Sequence, residues 1–465
     1  MTDLLVRGGT VVTARGSRLA DVAIESGRIV RVEPDLGGLA ASAREVVDAT
    51  DLLVLPGAID VHTHTRVASD AEPDRFFQDS VAAAHGGTTT FLAFNNPGTG
   101  SSSAADRSLL AGLREWRAAT AADSAVDTAL SLVITASQDD PIAELPAAIA
   151  AGAPTFKAFM VYDFGVDDAT LSQALATTGA HGGLLEVHCE NRAILEERTA
   201  AHLAAGEVEP RFHASSRPPH VEAEATGRAI ALAQAVDAPL YIVHLSCAEA
   251  LAHVRTARAE GRPVFAETCP HYLTLTDERY AGSAEEAARY VISPPLRGAG
   301  EPEALWRGLD DEDLAVVATD HVPDRVALEK QSWRESFDRI SNGGPGIETL
   351  LSLVYSEGVA RSRITLERMV DLLAATPAHL FGLPAKGAIE AGRDADLVLF
   401  DPKARRTIRA SDLHHTSDYT PYEGFEVTGS VRSTIVRGSF VVRDGAFVGQ
   451  RGYGRFVERE LEPLS

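Results

Sequence analysis

Short apolar runs, alternating with Ala-rich stretches of helical spacing, constrain this chain more than any other feature. The runs fall at residues 58–64, 88–94, 129–134, 155–160, 184–188, 240–244, 263–267 and 315–320; helix candidates include 107–119, 219–236, 248–259 and 346–358. Strand and helix in turn predict a parallel sheet, because parallel neighbours need a crossover connection. About eight such units match the count of a (β/α)8 barrel, the TIM-barrel architecture. A doubly wound sheet is the structural alternative. No Gly-x-Gly-x-x-Gly turn follows an early strand, so a bound dinucleotide has no support. Segments 190–217 and 321–345 read as long polar loops after strands, where barrel enzymes build their sites.

The chain ends have a different texture. Residues 1–55 and 386–450 read as short strands and tight turns, punctuated by Gly8-Gly9, Ser26-Gly27 and Gly438. They predict one small β-sandwich domain built from both ends, the (β/α)8 barrel at 56–385 between them, and a C-terminal tail at 451–465. With 465 residues the chain exceeds the usual range of a single core, as this division requires.

Composition excludes several classes of partner. With 43 basic against 66 acidic residues the net charge is −23, which argues against a nucleic acid or an anionic membrane surface. The start Met1-Thr2-Asp3-Leu4 lacks the basic region and apolar core of a signal peptide. No apolar stretch reaches the roughly 18–20 residues needed to span a bilayer. Cys189, Cys247 and Cys269 are an odd set in a long chain, so no disulfide framework is expected. A reducing cytoplasm is the simplest compartment.

Chemistry concentrates where the runs end. The first closes on His62-Thr63-His64, whose alternate residues face the same way about 6.6 Å apart. Runs at 184–188 and 240–244 end in His188 and His244, and the last ends in Asp320. In a parallel barrel these ends meet on one face. One strand-terminal histidine reads more readily as a hydrogen-bonded core residue; three such strands and an aspartate do not. Nitrogen and oxygen donors without nearby thiolates suit zinc or a similar divalent ion in an open site. Lys157 stands among apolar neighbours in Thr155-Phe156-Lys157-Ala158-Phe159-Met160. Burial lowers a lysine's pKa, and between two cations its neutral amine could take up carbon dioxide as a carbamate bridging both. The bland reading is a lysine snorkelling from a barrel strand.

Together, Pro56-Gly57-x-Ile59-Asp60-x-His62-x-His64, Phe156-Lys157, Val187-His188, Val243-His244, Glu267-Thr268-Cys269-Pro270, Ser293-Pro294-Pro295-Leu296-Arg297 and Thr319-Asp320-His321 resemble the cyclic-amide branch of the amidohydrolase superfamily. That branch holds the hydantoinases, dihydropyrimidinases, allantoinases and dihydroorotases. The resemblance implies two divalent metals, zinc first, and a carboxylated Lys157. His62, His64, Lys157 and Asp320 would hold one metal, and Lys157, His188 and His244 the other. It also implies attack on a ring carbonyl by a hydroxide bridging the metals, with Asp320 moving the proton and the ring opening to an N-carbamoyl amino acid. The partner is then a small cyclic amide or ureide, and the assembly a homo-oligomer, tetramer or dimer.

Substrate choice divides the residues. Tyr162, five positions beyond Lys157, resembles the tyrosine that donates to the oxyanion in hydantoinases and dihydropyrimidinases. Strand alternation points it away from Lys157, so that role requires the chain to turn after Met160. Ser293 and Asn342 resemble the positions whose backbone groups hold the ring amide there. Arg66 and Asn96 instead resemble the dihydroorotase pair that grips a substrate carboxylate; otherwise Arg66 pairs with Asp70, Glu72 or Asp74. The first set favours a hydantoinase or dihydropyrimidinase-like enzyme, with dihydroorotase-like or allantoinase-like specificity as the alternative. A non-catalytic barrel scaffold would be expected to have lost metal ligands, and all six stand here.

Overall fold

The computed structural model describes residues 2–96 and 102–464. Eight parallel strands follow one another in chain order: β1 (Ala58–Thr63), β2 (Thr88–Phe94), β3 (Asp127–Val133), β4 (Thr155–Phe159), β5 (Leu184–His188), β6 (Leu240–Ile242), β7 (Val264–Thr268) and β8 (Val316–Val317). They form the expected (β/α)8 barrel. Closure between β8 and β1 rests on a parallel bridge from Thr63 to His321 and on Asp60. The Asp60 carboxylate accepts from the Thr319 amide at 3.0 Å and its hydroxyl at 2.5 Å. Alternation sorts each strand. Leu185 and Val187 of β5 pack outward against the helices, whereas Leu184, Glu186 and His188 share the other face.

Strands β6 and β8 stop short of His244 and Asp320. Both residues take left-handed backbone angles, φ +38° and +50°, which bend the chain out of the sheet just where the side chain is needed. Segment 190–217 is not a plain loop. It contains helices Arg192–Ala204 and Phe212–Ser216, the first started by Asn191, whose side chain accepts from the Ile194 amide. The last helix candidate begins at Leu350, because the Gly346 amide is committed to His321 Nδ1 at 3.1 Å.

A second, nine-stranded sheet draws on both ends of the chain. Its joint is Leu53–Pro56, which runs parallel to Leu4–Thr13 on one side and antiparallel to Leu397–Thr407 on the other. Register breaks between Val6 and Gly9, and Gly8 sits at φ +71°, so the first strand bends there. Val6, Val22, Val54, Leu397 and Ile435 enclose a core separate from the barrel's.

Residues 455–459 cross the N-terminal ends of β3 and β4. The Val457 amide donates to the Thr128 carbonyl at 2.7 Å, and the Thr128 amide to that of Arg455 at 2.9 Å. The buried Arg459 donates to the Leu130 carbonyl at 2.6 Å and to Thr155 Oγ1 at 2.8 Å. No helix among the described residues is long and apolar enough to cross a membrane. Cys189, Cys247 and Cys269 are buried free thiols.

Candidate metal centre and active site

The strand ends bring the sequence-derived ligands together in two groups. His62 Nε2 lies 3.0 Å and His64 Nε2 3.2 Å from Asp320 Oδ1, and the donor atoms of these three residues lie within 4.8 Å of one another. Across the site, His244 Nε2 lies 2.9 Å from His188 Nδ1. The ring centres of His62 and His244 are 5.3 Å apart, which makes the two groups neighbours.

Lys157 stands between them. Its amine lies 4.7 Å from the Phe94 ring, which touches His62 and His64, and 5.2 Å from the Phe159 ring, which touches His188. The side chain is fully buried and Nζ has no hydrogen-bond partner. Burial, opposed by Glu186 and Glu267, brings its pKa down to about 8. Burial would raise Asp320, but His62 and His64 outweigh it and hold the carboxyl well below its usual range. Burial and Lys157 push His62 down, yet Glu267 and Asp320 prevail and carry it up to about 9. Burial also pushes His64, His188 and His244 down, which favours neutral imidazoles beside an ionised Asp320, the forms in which these donors hold a cation. Lys157 Nζ, His64 Nδ1 and His244 Nδ1 stand unpartnered there. Imidazole and carboxylate donors so arranged fit divalent metal ions.

Two carboxylates to which the sequence reading gave no role steady this set. Glu267, at the end of β7, takes a hydrogen bond from His62 Nδ1, one from the His244 amide at 3.2 Å and one from the Tyr241 hydroxyl at 2.8 Å. It therefore ties both groups to one strand. Glu190 binds His188 Nε2 at 2.7 Å and Arg217 at 2.6 Å. Glu267 stood in the motif Glu267-Thr268-Cys269-Pro270 without a role, and Glu190 was signalled only by its place two residues after His188.

Above the donors opens a cavity of about 220 Å³, lined by His64, His188, His244 and Asp320 together with Tyr162, Ser293, Asn342, Arg66 and Asn96. That is about seven waters' worth of space, suited to a small ring. The turn that Tyr162 requires is present. Its φ is +71°, the Gly165 amide donates to its carbonyl at 3.1 Å, and the Val166 amide returns to Phe159 at 2.9 Å. The Tyr162 ring lies 5.5 Å from that of His188 and 5.8 Å from the Arg217 guanidinium carbon. Arg66 finds partners other than those expected. It donates to Asp324 at 2.6 Å and Glu329 at 2.8 Å, while Glu72 is engaged by Arg75 and Arg325. The loop after β8 folds over Arg66 and supplies closer carboxylates than its own neighbours do.

Residues 53–441 match the family model described as "Amidohydrolase family". A D-hydantoinase of Geobacillus stearothermophilus is 40% identical over 461 residues, covering 98% of this chain and 96% of that protein. A D-phenylhydantoinase of Escherichia coli is 40% identical over 466 residues, covering 98% of each. The crystal structure of a dihydropyrimidinase from Brevibacillus agri NCHU1002 superposes with a TM-score of 0.93 at 40% identity, covering 99% of both chains. The chain belongs to the amidohydrolase family, in the branch of the hydantoinases and dihydropyrimidinases.

Proposed function

We propose that this chain opens the ring of a hydantoin or dihydropyrimidine to an N-carbamoyl amino acid, in a metal-dependent hydrolysis. The observation that carries it is an unpartnered buried amine, Lys157, flanked by His62–His64–Asp320 and His188–His244 beneath a cavity of about 220 Å³. The names of the relatives, D-hydantoinase and dihydropyrimidinase, support the same reaction. In this reading His62, His64, Lys157 and Asp320 would hold one zinc ion, and Lys157, His188 and His244 the second, and Lys157 would carry a carbamate derived from carbon dioxide. Bound there, the ions supply a water acidified toward neutral pH and polarise the ring carbonyl.

The chain's own groups do the rest. Asp320, held ionised by its histidine neighbours, takes the proton of the attacking water and returns it to the leaving ring nitrogen. Tyr162, a phenol that is protonated at neutral pH and that burial pushes further up, donates a hydrogen bond to the carbonyl oxygen as charge develops. Backbone groups at Ser293 and Asn342 orient the ring amide, with Asn96 at the cavity wall. Arg66 already serves Asp324 and Glu329, which weighs against dihydroorotase-like use of it on a substrate carboxylate. The reading also carries a homo-oligomer, tested by molar mass in solution.

A substrate panel tests the proposal. Zinc-loaded protein should open hydantoin or dihydrouracil and lose that activity to a chelator. Turnover of dihydroorotate or allantoin alone would move it to the alternative branch, and turnover of none would reject it.

A further inference from the structure

Lys330 plays no part in the reaction described above, yet it is fully buried in the loop after β8. Its Nζ donates to the carbonyl of Val291 at 2.9 Å and to that of Ser341 at 2.8 Å. Those carbonyls stand two residues before Ser293 and one before Asn342, the two positions assigned to the ring amide. The Val291 carbonyl also accepts from the Gly343 amide at 3.0 Å, so the segments are joined by one backbone bond and one bridging amine.

The neighbouring backbone is held just as firmly. The Tyr290 carbonyl accepts from the Tyr280 hydroxyl at 3.0 Å, and the Ile292 carbonyl contacts His213 Nε2 at 2.8 Å. On the other segment Gly343 sits at φ +153°, and a Cβ there would stand 2.4 Å from Val322 Cγ2. Neither segment can drift while these contacts hold. Tyr280 and His213 hold only the Ser293 side, whereas Lys330 reaches both. An amine donates whether charged or neutral, so this grip persists although burial brings its pKa down to about 8.

We infer that Lys330 is a positioning residue for substrate binding: it sets the spacing between the backbone groups of Ser293 and Asn342 and thereby the fit of the ring amide. The inference rests on the assignment of those two residues under the proposed function. Contacts to the ring amide persist from bound substrate to transition state, whereas moving protons and charge falls to Asp320 and Tyr162, other residues of the same cavity. Loosening the grip therefore raises KM and leaves kcat nearly unchanged.

The test uses the full chain loaded with zinc, with hydantoin and dihydrouracil as substrates. Lys330→Met keeps the length of the side chain and removes its donors. KM should rise tenfold or more for whichever ring the wild type opens, with kcat within threefold and metal content unchanged. Lys330→Gln, which keeps one donating group, should fall between. A KM within twofold of wild type overturns the inference; so does a loss of kcat and metal at constant KM, which would make Lys330 a support of the catalytic centre. If Lys330→Met is insoluble, Lys330→Gln is judged by the same criteria, and failure of both to fold assigns the residue to folding alone. A wild type that opens neither ring removes the functional reading and this inference with it. An active wild type with an unchanged variant removes this inference alone.

Discussion

A buried donor without a partner costs about 1–3 kcal/mol, and Lys157 Nζ is such a donor at the centre of the site. A carbamate on that amine would relieve the cost by giving two oxygens to two cations. Lys157→Ala should therefore bind almost no metal by elemental analysis, against the two ions per chain that the proposed centre would hold in the wild type; a fully metallated variant sinks the carbamate. Tyr162 makes the complementary case, because it sits in the cavity without joining the donor set. Tyr162→Phe should lower kcat about 10²–10³-fold with metal content intact. An unchanged rate would return Tyr162 to packing against Phe159 and Phe164. The proposed ligands His62, His64, His188, His244 and Asp320 were legible because they stand at the ends of apolar runs, and Lys157 because it is a lone cation inside one. Glu267 was harder to assign a role, since its work is to hold His62 from a strand 205 positions away. No spacing rule connects the two.

Among the elements, the loop after β8 binds its neighbours by charge. Glu329 accepts from Arg66 at 2.8 Å, Arg75 at 2.9 Å and Arg325 at 3.0 Å. Burial would raise its carboxyl, but Arg325, Arg75 and Arg66 bring it down to about 2. Its pKa is thus depressed by folding, so the stabilisation is complete above the ordinary value near 4.5 and is lost as pH falls toward about 2. We expect Glu329→Gln to cost on the order of 2 kcal/mol at pH 7 and much less at pH 3, read from urea midpoints. An equal deficit at both pH values would remove Glu329 from that role. Strands β2 and β5 and the helix Ala248–Ala259 coincide with the sequence reading, because apolar periodicity specifies them locally. The left-handed turns at His244 and Asp320 were not legible. Nothing about a histidine or an aspartate announces a positive φ; the surrounding barrel imposes it. The charge partners of Arg66 were misread for a similar reason, since the sequence offers near neighbours and the fold chose a distant loop.

At the scale of the molecule, barrel and second sheet meet on one buried ion cluster. Lys386 Nζ reaches Asp396 at 2.6 Å and Asp127, the first residue of β3, at 2.7 Å, with Asp394 at 3.4 Å. Burial opposes the charge of Lys386, but Asp396 and Asp127 outweigh it and raise its pKa. Lys386→Met would leave Asp396 without its amine partner, with Arg437 still beside Asp127 and Arg28 beside Asp394. It should destabilise the fold by about 3–5 kcal/mol, seen as a lower melting temperature. A melt unchanged from wild type would show that the sheets cohere without it. The division into two units was legible in texture, but this seam was not, because its members come from three separate stretches of chain. Arg459, 304 positions after Thr155 and hydrogen-bonded to it, sets the order of events in synthesis. While the ribosome is still making residues 455–459, the floor of the barrel lacks its last strip, and Thr128, Leu130 and Thr155 lack the partners that strip brings. All eight strands can already be outside the exit tunnel and the barrel still unsealed. Until residues 455–459 emerge, the nascent chain carries those polar groups without the partners that the folded barrel gives them.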